Sequence, residues 1–300
     1  MKKQEYLQLL KPELIKSVSG LALIARAIVD GYLSGMHLSN NVGSGMEFNQ
    51  FRNYEPGDDL RLLDWKMLAR SDRYYIKQSE IETNIAVKFI LDASKSMLHQ
   101  EKDGLSKMEY ARVLIASLGY ISEKQGDAIG LFALNDHQLY TIYPKIQKQQ
   151  YNRFLHELIA IENRGKWPRD PTITEVLHSR SHKELIFFIT DLYEHNKELT
   201  DFIKRLKTSK NEVVVLHLMG KNELEFDYNE TITFEDLETG TRLKIDAKSA
   251  KKQYLIQLDG MMKKTKKTLL ANDISYHLFA LHKDIGETLQ LFMKKRTKLF

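Results

Sequence analysis

Four strongly apolar runs, separated by stretches of helical periodicity, limit what this chain can fold into. IAVKFILD (85–92), DAIGLFAL (127–134), ELIFFITD (184–191) and EVVVLHLM (212–219) are nearly continuous in apolar residues. Runs of that length and character are buried strands of a parallel sheet covered on both faces, since a half-exposed strand would alternate polar and apolar residues. ISYHLFAL (274–281) adds a last strand, and QLYTIY (138–143) a short edge strand. Helical patterns lie between them at 106–124, 147–162, 172–180, 196–208 and 248–271, with a closing helix at 284–295. Ser106 and Glu109 have the spacing of a capping box, and Met108, Ala111, Leu114, Ile115, Leu118 and Ile121 form an apolar stripe. Strand–helix alternation of this kind predicts an α/β fold, a mostly parallel sheet with helices on both faces. TITFEDLETGTRLKI reads as a hairpin inserted near 224–246.

In such sheets ligands bind at the carboxyl ends of the strands, near the point where strand order reverses. Two of the strongest strands end there in aspartate, Asp92 and Asp191. LDASKSM continues from the first as D-x-S-x-S, so a turn after the strand brings Asp92, Ser94 and Ser96 toward one point. One carboxylate and two hydroxyls are hard, weakly charged donors that suit Mg2+ or Mn2+ and not zinc. Asp191 approaches from the neighbouring strand, through water, and a threonine of the 165–175 loop adds an oxygen. Thr172 is the first choice and Thr174 the alternative. The competing reading of D-x-S-x-S alone is a capped turn that holds no ion.

Ahead of the first buried strand the chain has a different character. Residues 12–31 form an amphipathic helix, with Leu14, Val18, Leu21, Ala25 and Ile28 on one face and Pro12 in its first turn. Residues 46–84 are charged and weakly periodic, so 1–84 is expected as an N-terminal subregion and 85–300 as the main domain. Glu47, Arg52, Tyr54, Asp58, Asp59, Arg61, Asp64, Trp65 and Arg70 cluster within this subregion. They form either an ion-pair lattice pinning an irregular segment, with Trp65 buried as an anchor, or a docking surface for a partner.

With those residues in view, a resemblance emerges. D-x-S-x-S followed by a threonine and a strand-end aspartate resembles the metal-ion-dependent adhesion site (MIDAS) of von Willebrand A domains. GSGMEFNQFRNYEPGDDLRLLDWKMLARSDRYYIKQSEIET followed by LDASKSM resembles the bacterial domain-of-unknown-function 58 family, over about residues 30–200. The resemblance implies a von Willebrand A-like, Rossmann-like fold and a cation held by Asp92, Ser94, Ser96 and Asp191. It also implies a MoxR-type AAA+ ATPase partner, because family members are typically encoded beside one. A Pro-Thr-Ile-Thr stretch stands where the family has Gly-Thr.

Composition bounds the remaining classes. Forty-five basic and 40 acidic side chains leave a net charge of +5, too diffuse to imply nucleic acid. The 42% hydrophobic and 28% charged content is that of a globular chain. There is no cysteine, hence no disulfide scaffold, thiolate site or cysteine nucleophile. With no apolar run long enough to span a bilayer, a cytoplasmic protein without a membrane span is expected. The sequence carries no phosphate-binding G-x-x-x-x-G-K-[ST] loop and no G-x-S-x-G elbow. These readings favour a cation-dependent adaptor that captures an acidic residue of a protein ligand, not an enzyme. The alternative is a metal-dependent phosphoester hydrolase with Asp92 and Asp191 flanking the ion.

Overall fold

The computed structural model describes residues 6–32, 47–55, 63, 65–71, 73–80, 85–101, 104–168, 173–177, 183–194, 196–228 and 230–296. Two compact units emerge, Met1–Asn40 with Ile85–Phe300, and Asn41–Asn84.

The first unit opens with helices α1 (Pro12–Ile15) and α2 (Val18–Tyr32). The single helix expected over 12–31 is therefore broken. Ser17 accepts the Gly20 amide at 3.2 Å and so caps α2. A Cβ at Gly20 would lie 2.4 Å from the Leu14 carbonyl oxygen, so the tight corner between α1 and α2 requires glycine. Leu21, Ile24, Ala25 and Ile28 of α2 are fully buried in the same core as strand residues Val87, Phe89 and Leu91. This corrects the expected division at residue 84. The apolar stripe of α2 completes the main core, and the first forty residues belong with the α/β unit.

The second unit pairs β1 (Glu47–Asn53) antiparallel with β2 (Tyr75–Glu80), and helix α3 (Trp65–Ser71) lies between them in sequence. Tyr54 extends the pairing by donating its amide to Tyr74 O at 2.9 Å.

The main sheet takes β3 (Ala86–Asp92), β4 (Ala128–Leu134), β5 (Leu139–Lys145), β6 (Glu184–Thr190) and β7 (Asn211–Met219). It is completed by β10 (Ile274–Ala280), which follows the separate hairpin β8 (Thr231–Glu235) and β9 (Arg242–Asp246). The order is β10-β7-β6-β3-β4-β5, parallel throughout except for the antiparallel edge strand β5. Read along the chain this is the doubly wound order of Rossmann-like and von Willebrand A-like folds, and strand order reverses between β3 and β6.

Helices α4 (Lys107–Lys124), α5 (Gln150–Ala160), α6 (Ile173–Leu177), α7 (Glu198–Leu206), α8 (Lys221–Glu225), α9 (Ala247–Leu270) and α10 (Ile285–Arg296) connect the strands. The predicted capping box is present at α4: Ser106 Oγ accepts the Glu109 amide at 3.1 Å, and Glu109 Oε2 accepts the Ser106 amide at 3.0 Å. Side chains of β3 alternate between two cores. Phe89 and Leu91 face α2, α4, α5 and α10, and Ile90 joins Phe132, Phe188 and Phe202 on the opposite side. The short helix α8, which leads from β7 into the hairpin, has no counterpart in the expected elements.

Candidate functional site

The parallel pairing of β3 with β6 sets Leu91 opposite Ile189, so the next residues, Asp92 and Thr190, emerge side by side at the switch point. Asp92 Oδ1 accepts the Ser94 amide at 3.0 Å, which folds the chain back at the strand end. Asp92 Oδ2 accepts the Thr190 hydroxyl at 2.8 Å. Ser94 opens a 3-10 turn over Lys95–Leu98, bringing its Oγ within 2.9 Å of Ser96 Oγ. Ser96 then donates to Asp191 Oδ1 at 3.2 Å. The chain therefore brings Asp92, Ser94, Ser96 and Asp191 together, at 1%, 1%, 8% and 8% exposure.

A loop after α5 holds this turn from behind. Arg164 donates its amide to Ala93 O at 3.0 Å, Asn163 Nδ2 donates to Ser94 O at 3.0 Å, and the Lys95 amide donates to Gly165 O at 3.1 Å. Gly165 has φ +49°, and a Cβ there would fall 1.7 Å from Asp136 Oδ1, so the loop takes this path only with glycine.

Charge at the site is uneven. Burial, and then the neighbouring Asp191, push the Asp92 carboxyl up to about 6. Asp191 is buried as deeply, yet the Lys107 ammonium 2.9 Å from its Oδ2 and the Tyr193 amide together outweigh that desolvation and hold it below the usual carboxylate range. Asp191 Oδ1 also accepts the Tyr193 amide at 3.2 Å. His217 of β7 donates from Nε2 to the Asp191 carbonyl at 2.9 Å, which leaves Nδ1 to accept the Tyr276 hydroxyl at 2.7 Å.

Two carboxylates and two hydroxyls are a donor set whose chemistry fits Mg2+ or Mn2+. Among the described residues, no group of three or more His, Cys, Asp or Glu side chains is placed to hold a metal. An ion at these residues would depend on the hydroxyls and on water as well as the acids.

The other expected residues divide. Thr172 lies outside the described residues, and Thr174 is buried in α6. The threonine on Asp92 is Thr190, which the sequence reading passed over although it sits directly before Asp191. Parallel pairing of strands ending in Leu-Asp and Thr-Asp is the signal that could have found it. Lys107 was missed as well.

Within the upstream cluster, Asp58, Asp59, Arg61 and Asp64 lie outside the described residues, as do the side chains of Glu47 and Arg52. Tyr54 packs its ring 6.1 Å from that of Tyr74, and Arg70 is exposed. Trp65 is 63% exposed and does not bury as the expected anchor; Leu63 is the buried residue there. At the first position of a short helix a side chain leans back toward the helix start, away from the turns that follow.

A cavity of ≈ 590 Å³ opens from Ser96, Lys107 and Asp191 toward the inserted hairpin. Its far wall is aromatic: Phe226 packs on Tyr254 at 4.5 Å and Tyr228 on Phe234 at 5.4 Å between ring centroids. Tyr193 donates its hydroxyl to Asp236 at 3.1 Å, tying the segment after β6 to the turn of the hairpin.

Uncharacterized proteins of Mycobacterium tuberculosis and Mycobacterium bovis are each 21% identical over 232 residues, covering 76% of this chain and 72% of theirs. Among solved structures, the conserved hypothetical protein BatB from Bacteroides thetaiotaomicron aligns with a TM-score of 0.45 at 17% identity, over 72% of this chain and 100% of its own. The SpRpn10 VWA domain aligns at 0.40 and 13%, over 69% of this chain and 94% of its own. Among described helices none is long and apolar enough to cross a membrane. The sequence profile of one family matches residues 50–260, and this chain belongs to that family, described as Protein of unknown function DUF58.

Proposed function

We propose that this chain is a divalent-cation-dependent protein-interaction module that captures an acidic side chain of a protein partner. The convergence of Asp92, Ser94, Ser96 and Asp191 at the switch point of the sheet carries this reading. A Mg2+ or Mn2+ ion held by these residues would supply positive charge for an incoming carboxylate. Thr190 and the Ser94 amide fix both oxygens of Asp92, so the carboxylate is oriented before any ligand arrives. Ser94 and Ser96 add oxygens without adding negative charge, which leaves the site attractive to an anionic group.

A MoxR-type AAA+ ATPase is the partner that the family resemblance supports.

The test is isothermal titration of Mg2+ and Mn2+ into the protein and into Asp92→Ala, followed by capture of the ATPase with and without chelator. One cation site lost in the variant, together with chelator-sensitive capture, supports the module. Capture that ignores both chelator and variant overturns it.

A further inference from the structure

Lysine is an unusual first residue for a helix, because its charge opposes the positive N-terminal end of the helix dipole. Lys107 nevertheless opens α4, and it is buried to 3% exposure. Its Nζ bridges two acids from different elements, Asp191 Oδ2 at 2.9 Å and Glu223 Oε1 at 2.6 Å. Burying an ammonium is costly unless it is paired, and here the two carboxylates repay that cost. An ammonium held between two carboxylates in this way stays charged. The partners of Lys107 lie outside α4, so the packing of the helix on the sheet does not define its role. The acids that it touches do.

We infer that Lys107 is a resident counter-charge of the ion site, neutralising Asp191 when no divalent cation is bound and competing with that cation when one arrives. This rests on the cation reading above and concerns how tightly the site holds its ion. Asp191 cannot give its full charge to an ion while one of its oxygens is paired with Lys107. Glu223 is the acid that takes a larger share of the ammonium as Asp191 turns to the ion. Glu223 is itself built in, since its Oε2 accepts the Gly220 amide at 2.7 Å and its carbonyl accepts the Tyr254 hydroxyl at 2.9 Å. Gly220 belongs to the segment that leads into the hairpin, and Tyr254 to α9, which follows it. The strength of cation binding is thus set by the division of one lysine between two acids.

The experiment is isothermal titration of MnCl2 and MgCl2 into metal-free wild type, Lys107→Met, Lys107→Arg and Glu223→Gln, beside thermal unfolding in chelator and in Mg2+. Lys107→Met should bind at least about tenfold tighter, and in chelator it should be less stable than wild type and recover in Mg2+. Lys107→Arg should stay near wild type, and Glu223→Gln, which leaves the ammonium wholly on Asp191, should bind more weakly. A wild type that binds while Lys107→Met binds equally or more weakly overturns the inference and leaves the cation reading standing. If Lys107→Met does not fold, an unchanged affinity in Glu223→Gln overturns it. Absence of binding by wild type and Lys107→Met alike overturns the cation reading and the inference together.

Discussion

Thr190 Oγ1 donates to Asp92 Oδ2 at 2.8 Å while accepting the Leu192 amide at 2.9 Å, so one hydroxyl locks the ends of two neighbouring strands. Both groups are buried, and removing the hydroxyl leaves an acceptor and a donor without their partner. Thr190→Val should cost about 1–3 kcal/mol in urea unfolding and should weaken Mn2+ binding, because Asp92 loses its orientation. Thr190→Ser should recover most of both. A valine variant as stable as the wild type would show that Asp92 finds another partner.

Thr190 also marks how far the sequence could be read. The buried strands and their helices were legible because continuous apolar runs and 3.6-residue stripes survive without any tertiary knowledge. Asp92, Ser94 and Ser96 were legible because one turn in one segment brings them together. Thr190 and Lys107 were not, since each meets its partner across elements, through strand register in one case and across a span of 84 residues in the other. The placement of α2 was missed for the same reason, as an apolar stripe does not say which core it completes. Trp65 fails differently: its size suggested an anchor, but its position at a helix start decided its exposure.

Lys88 interrupts the apolar run of β3. Its Nζ lies 2.6 Å from Glu184 Oε1 and donates to Leu177 O at 2.6 Å, with both charged side chains almost fully buried. Removing one member of a buried pair strands the other. Glu184→Gln should therefore destabilise by about 3–5 kcal/mol, and Lys88→Met combined with Glu184→Leu should recover most of that loss. A double-mutant cycle in guanidinium reads the coupling, and additive effects would show that the two charges are independent.

Arg112 joins α4 to the end of α5. Its Nε donates to Leu158 O at 3.3 Å, and Nη2 to Ile159 O at 3.2 Å and Ile161 O at 2.9 Å, where the helix leaves carbonyls unpaired. Burial lowers the guanidinium from its ordinary value, with Glu109 opposing, but an arginine stays charged at neutral pH. Arg112→Met should cost about 3 kcal/mol. Arg112→Lys should recover little, because one ammonium cannot reproduce the fork. Full recovery by lysine would mean that charge near the helix end matters more than geometry.

His217 gives the protein a pH response. Full burial lowers it to about 4 from an ordinary 6.5, against the opposing pull of Asp191. Between those values the unfolded chain binds a proton that the folded chain refuses. The His217 contribution is therefore fully present above about pH 6.5 and is lost as pH falls through about 4. The shift corresponds to about 3 kcal/mol. Asp92, pushed up to about 6, works the other way, because the folded chain takes up its proton first. Urea unfolding at pH 7 and pH 5 should therefore show the wild type losing stability relative to a variant without the ring. His217→Gln keeps an amide donor for the Asp191 carbonyl and removes the titrating ring, so it should lose clearly less over the same interval. Equal losses in the two proteins would assign the acid sensitivity to other groups, and would mean that the ring is protonated inside the fold at little cost.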